Sequence, residues 1–165
     1  MQETLVNALR FRSPHIRERW AALLHVEPVT TPLANPHALV HLIDWTLNEI
    51  FLSLISQSAR RRFGRRIAAA THARECCGRN PLLAYFSAGQ QAMREALILV
   101  QAATPSLDPV ERDASLEELN LVLDHIARRE IEAFCGVCQY RTAAAGTSPL
   151  CGTDRAGVAL AHVGI

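Results

Sequence analysis

A chain of 165 residues that is 49% hydrophobic and 20% charged can bury about two-thirds of its unfolded surface, which fits one ordinary globular domain. A formal charge of +1 excludes a global field able to steer nucleic acid or an anionic membrane, so only local patches matter. No apolar run reaches the roughly 18 residues of a membrane-spanning helix, and Glu3 and Asn7 interrupt the start where a secretory signal needs an unbroken apolar stretch. The expected location is therefore the cytoplasm, without a membrane partner.

Helix starts are announced by a capping residue followed by proline, at Ser13-Pro14, Asn35-Pro36, Asn80-Pro81 and Asp108-Pro109. A short helix with Leu5 and Leu9 precedes one with Ile16, Trp20, Leu23 and Leu24 at helical spacing. After Asn35, the positions Leu39, Val40, Ile43, Leu47, Ile50, Phe51, Leu54 and Ile55 trace a wide apolar stripe, which predicts a central helix running toward Gly64. Residues 65–76 read as helical again, and Cys77-Gly78-Arg79-Asn80-Pro81 supplies a stop and a restart. The next helix carries Leu82, Leu83, Phe86, Met93, Leu97 and Val100, with Ser87, Ala88 and Gly89 small enough for a neighbour to approach closely. Asp108-Pro109-Val110-Glu111 and Ser115-Leu116-Glu117-Glu118 offer two successive starts for the last long helix. That helix presents Leu119, Val122, Leu123, Ile126 and Phe134 to a core, and Gly136 can end it. Trp20 and Trp45 read as core anchors. No segment shows the alternation of a strand, so the predicted fold is all-α: an antiparallel four- or five-helix bundle over residues 1–141 with a loosely structured tail over 142–165.

All 17 basic residues are arginine, a usage that fits a GC-rich bacterial genome. The dense patch is Arg60, Arg61, Arg62, Arg65 and Arg66, an anion or partner site on its charge alone. Only Phe63 is interleaved with it, whereas nucleic-acid surfaces set aromatics among their charges, so a solvated or partner-pairing face is the preferred reading over nucleic acid.

The five cysteines are odd in number and lack a secretory context, which argues against a disulfide framework. His72 and Cys76 stand four apart at a helix end, and Cys135-x2-Cys138 can aim two sulfurs at one ion, so these four compose a candidate Cys3His zinc site. Cys77 substitutes for Cys76 if the helix ends early. A second grouping takes Cys135, Cys138, Cys151 and His162, and a third holds an iron-sulfur cluster on four of the five thiolates. The plain alternative is that the thiols pack as small hydrophobes. A thioredoxin-like role for Cys135 and Cys138 conflicts with electrostatics, because the pair follows a helix C-terminus, whose partial negative charge raises a thiol's pKa.

On the central helix His37, His41, Asp44 and Asn48 share one face, which can bind a small polar ligand or simply be the solvated side of an amphipathic helix. His125 beside Asp124 reads as a local pair. The chain carries no Gly-x-Ser-x-Gly elbow, no His-Glu-x-x-His and no phosphate loop.

The segment IRERWAALLHVEP, with its charged stretch Arg17–Trp20, followed by ANPHALVHLIDWTL, resembles the helical N-terminal regulatory domains of bacterial stressosome co-antagonists and histidine kinases over about a third of the chain. The resemblance implies a domain that senses or transmits a signal through helix contacts without catalysis, and it transfers no individual residue. The expected function is a regulatory or sensory interaction module with a protein partner or a second copy. The alternatives are a metal- or cluster-dependent redox sensor or enzyme, and nucleic-acid binding through Arg60–Arg66.

Overall fold

A computed structural model describes residues 1–26, 34–56 and 80–137. Among these every regular element is helical. They are α1 (Glu3–Phe11), α2 (Ser13–Val26), α3 (Pro36–Leu39), a 3-10 turn (Val40–Leu42), α4 (Ile43–Ile55), α5 (Pro81–Ala102) and α6 (Pro109–Val137). The predicted all-α bundle is therefore the observed class.

The starts follow local chemistry. Asn35 Oδ1 accepts from the His37 amide at 3.0 Å, Asn80 Oδ1 from Leu82 at 2.9 Å and Asp108 Oδ1 from Val110 at 3.0 Å, each satisfying an amide that has no partner inside its helix. Ser13 departs from the pattern: its hydroxyl donates to the Arg10 carbonyl at 2.6 Å, so it closes α1 instead of capping α2. Ser115 starts nothing either. It lies inside a continuous 29-residue α6 and donates to the Glu111 carbonyl at 2.7 Å, because the Asp108 cap had already begun that helix. Gly136 also lies within α6 and does not end it.

The hairpin of α5 and α6 forms the framework, and its register is read from side-chain pairs along its length. Asn80 meets Ile131 and Cys135, Gln90 meets Asp124 at 2.7 Å, Arg94 meets Asn120 at 2.7 Å, and Gln101 reaches the Arg112 carbonyl at 2.9 Å. Numbers falling on one strand of the hairpin as they rise on the other define antiparallel packing. Leu107 is buried at the tip, where its carbonyl accepts from Arg112 at 3.1 Å. Helices α1 and α2 lie against α5, while α4 packs on α6, α1 and α2.

The core runs through all of these elements. Leu9, Ile16, Trp20, Ile43, Ile50, Leu54, Met93, Leu97, Leu119 and Ile126 are fully buried, and each apolar side chain of this kind contributes about 1.5–3 kcal/mol by leaving water. At the edges of the stripes Ile55 and Leu83 are exposed, and Leu23, Val40, Leu82 and Phe134 are half-buried. The stripes are wider than the contact each helix makes.

At the centre, Trp20 of α2 lies across α5. Its Nε1 donates to the Tyr85 carbonyl at 2.9 Å, and its ring tilts on the Tyr85 ring with centroids 4.9 Å apart. Gly89, one turn on, makes this possible, since a Cβ there would fall inside the indole, 2.5 Å from Cε2 and Cη2. The anticipated small-residue approach thus occurs, with Trp20 as the neighbour.

Candidate functional site

Most of the anticipated site residues lie outside the described residues. This holds for Arg60, Arg61, Arg62, Arg65 and Arg66, for His72, Cys76, Cys77 and Cys138, and for Cys151 and His162. Among the described residues, no three His, Cys, Asp or Glu side chains converge as metal ligands.

Cys135 is described, and its surroundings are specific. It is buried in the last turn of α6, where Asn80 Nδ2 donates to its Sγ at 3.2 Å and to the Ile131 carbonyl at 3.2 Å. Asn80 is itself buried, so one side chain caps α5 with its oxygen and fastens the end of α6 with its nitrogen. The cap was legible from Asn80-Pro81, but the second bond depends on hairpin register, which no local signal carries.

The polar face of the central helix is solvent-facing. His37, His41, Asp44 and Asn48 are all exposed. His37 meets the edge of the His25 ring at 5.3 Å between centroids, and Asp44 pairs with Arg17 of α2 at 3.3 Å. Asp44 and the two histidines therefore turn to separate neighbours or to water, and the face carries no pocket-forming convergence of these groups.

A buried polar pair that sequence reading missed joins α4 to α5. The Thr46 hydroxyl spends its one hydrogen on the Leu42 carbonyl at 3.0 Å, so the Tyr85 hydroxyl donates to Thr46 at 2.8 Å. Burial pushes the Tyr85 hydroxyl's pKa well above its ordinary value, with the Thr46 bond opposing in part. This is a structural clasp: the hydroxyl stays protonated and out of solvent.

The unanticipated surface feature is the outer side of α4. Trp45, read from the sequence as a core anchor, is 54% exposed, because the core side of this helix is already filled by Ile43, Thr46, Leu47, Ile50 and Leu54. Leu52, seven residues on and so two turns along the same side, is 52% exposed, and Leu42 is 42% exposed. Pro36–Ile55 form 20 residues long and apolar enough to cross a membrane by length and composition, contrary to expectation, and only 39% of the most apolar window is buried. Its buried half packs as a core helix does. Both carboxylates of α4 are engaged by other helices, Asp44 by Arg17 and Glu49 by Arg129 of α6 at 3.1 Å. The outward side thus carries Leu42, Trp45, Leu52 and Ile55 with the exposed polar groups His41 and Asn48 among them, beside the two engaged carboxylates. Comparison of the chain with protein-family models, with curated proteins and with solved structures returns no match, so its function has to be argued from this geometry.

Proposed function

We propose that this protein works by binding, as a regulatory or sensory helical module without chemistry of its own, and that the outer face of α4 is its working surface. The observation that carries the reading is the outward placement of Trp45 and Leu52 on a helix whose core side is complete. Tryptophan is the residue type most enriched where binding energy concentrates, and large apolar side chains grouped on one face mark interaction surfaces. A photoreactive phenylalanine derivative placed at position 45 in living cells tests this, with the exposed Ser87 on α5 as control. The reading requires a discrete adduct at position 45 that is absent at position 87. Equal labelling at both, or none at 45, refutes it.

The Asn80–Cys135 contact favours a second, compatible reading, a zinc tie at this end of the hairpin. Cys77 stands three residues before Asn80 and Cys138 three after Cys135 in the sequence. Cys76 and His72 follow on the same stretch. Elemental analysis of anaerobically purified protein should give about one zinc per chain, lost in Cys135→Ser. Iron with sulfide would move the assignment to a redox-sensing cluster, and a metal-free chain would leave the thiols as packing groups.

A further inference from the structure

We infer that His25 and His37 form a site for a borderline divalent transition ion (zinc, nickel or copper), separate from both the α4 face and the cysteines. His25 stands in the last turn of α2 and His37 in α3, so the pair joins the end of one helix to the start of the next.

The hydrogen on the His25 ring is placed by its neighbour. Nδ1 lies 2.7 Å from the Ala21 carbonyl. A carbonyl oxygen only accepts, so Nδ1 carries the hydrogen and, in the neutral ring, Nε2 keeps its lone pair. Metal-bound histidines use this arrangement, with one ring nitrogen donating to a carbonyl and the other left to the ion.

The spacing of the two rings fits a shared ion. Their centroids are 5.3 Å apart. An ion about 2.1 Å from a nitrogen of each ring lies about 3.2 Å from each ring centre, and at a tetrahedral angle the two centres are then about 5.2 Å apart. The ring planes stand 80° apart, with an edge toward a face. Both side chains are exposed, so His37 reaches the ligating orientation by turning about its own side-chain bonds while His25 stays bonded to Ala21.

The surroundings favour a cation of this class. The last carbonyls of the 14-residue α2 set the negative end of its dipole beside His25. Imidazole nitrogens suit zinc, nickel and copper, whereas magnesium and calcium take oxygen ligands. Among the described residues no third His, Cys, Asp or Glu joins the pair. Water therefore completes the coordination, and the ion is exchangeable, unlike one in a closed four-ligand structural site. Bound there, it ties α2 to α3 and stabilises the folded chain in proportion to its occupancy.

Nickel chloride should be titrated calorimetrically into the full chain and into His25→Ala, His37→Ala, His15→Ala and Cys135→Ser. The inference predicts one ion bound at this pair, with affinity reduced about tenfold or more in either of the first two variants, because each leaves a single imidazole where there had been a chelate. Affinity should be unchanged in His15→Ala, an exposed histidine near the start of α2, and should persist in Cys135→Ser, which separates this site from any ion held by thiols. Nickel should also raise the thermal midpoint of the wild type, and the rise should vanish in His25→Ala and His37→Ala, whose helical circular dichroism stays that of the wild type. Loss of affinity in only one of these two variants means a single-imidazole contact and overturns the pair. Equal affinity in the wild type and both variants, or no binding at millimolar nickel, overturns the site.

Discussion

Gly89 and Trp20 let α2 approach α5 closely, and they do so as a pair. The indole lies where a Cβ would stand and donates to a carbonyl one turn earlier on the same helix. Because Trp20 is wholly buried, its ring has no solvent-side room to withdraw. Gly89→Ala gains about 1 kcal/mol of helix propensity but overpacks the ring at a cost of about 3 kcal/mol. A net loss of about 2 kcal/mol in urea unfolding is expected, and a loss under about 0.5 kcal/mol would show that the ring yields. The Tyr85–Thr46 clasp makes a sharper prediction through its proton order. Thr46→Val strands a buried tyrosine hydroxyl and should cost about 2 kcal/mol, whereas Tyr85→Phe removes a donor and leaves Thr46 bonded to Leu42, at about 1 kcal/mol. The double variant should then be more stable than Thr46→Val alone; simple additivity in a double-mutant cycle would disprove the coupling.

Elements in this protein are set by their first residues and joined by contacts far apart in sequence. Asn80 performs both tasks, capping α5 and binding the last turn of α6. Asn80→Asp keeps the capping oxygen but loses the donor, and Asn80→Ala loses both. Thermal unfolding should rank wild type above Asp and Asp above Ala, with Asn80→Ala costing about 2 kcal/mol; an Asp variant equal to wild type would show that the bridge to α6 is idle. Helix starts at Asn35, Asn80 and Asp108 were legible because capping is local, written within three residues. At Ser13 a helix starts as expected, but its hydroxyl closes α1 instead of capping α2, and Ser115 starts none because it lies inside a helix already begun at Asp108. Trp45 shows the corresponding limit for stripes. The stripe of Leu39, Ile43, Leu47, Ile50 and Leu54 declared the core side of this helix, whereas Trp45 stands off that stripe beside Asp44 and was assigned to the core by its residue type alone.

At the scale of the whole molecule, charge distribution distinguishes the bundle from what is attached to it. Ion pairs link separate helices: Arg17 to Asp44, Arg129 to Glu49, and Arg19 to Glu95 through two bonds of 2.7 and 3.0 Å. The bonds from Arg19 and then Gln91 hold the Glu95 carboxyl down at about 2, against an ordinary 4.5. A depressed carboxylate stabilises the fold fully above its ordinary pKa, and the contribution is lost as pH falls through the folded value. The stability difference between wild type and Glu95→Gln should therefore shrink as pH is lowered from about 4.5 to about 2, and by a modest amount because the pair is exposed and screened. A difference that is flat across this range would contradict the pairing. The all-α class and most of the core were legible from periodicity, since burial follows the apolar stripe wherever a neighbour exists to receive it. Of the candidate site, the central helix and its solvent-facing positions His41, Asp44 and Asn48 were legible from spacing, whereas Trp45 among them was not, because a large apolar residue beside a polar face carries no local signal of its exposure.

The account stands on Trp45 facing water in the isolated chain while Trp20 does not. Acrylamide quenching of the dilute protein, compared with Trp45→Phe, measures this directly. The structure predicts strong quenching of the Trp45 contribution and weak quenching of the Trp20 emission that remains in the variant. Equal protection of both indoles would mean that α4 is already covered by the chain itself, and the outer face of this helix would no longer be available to any partner.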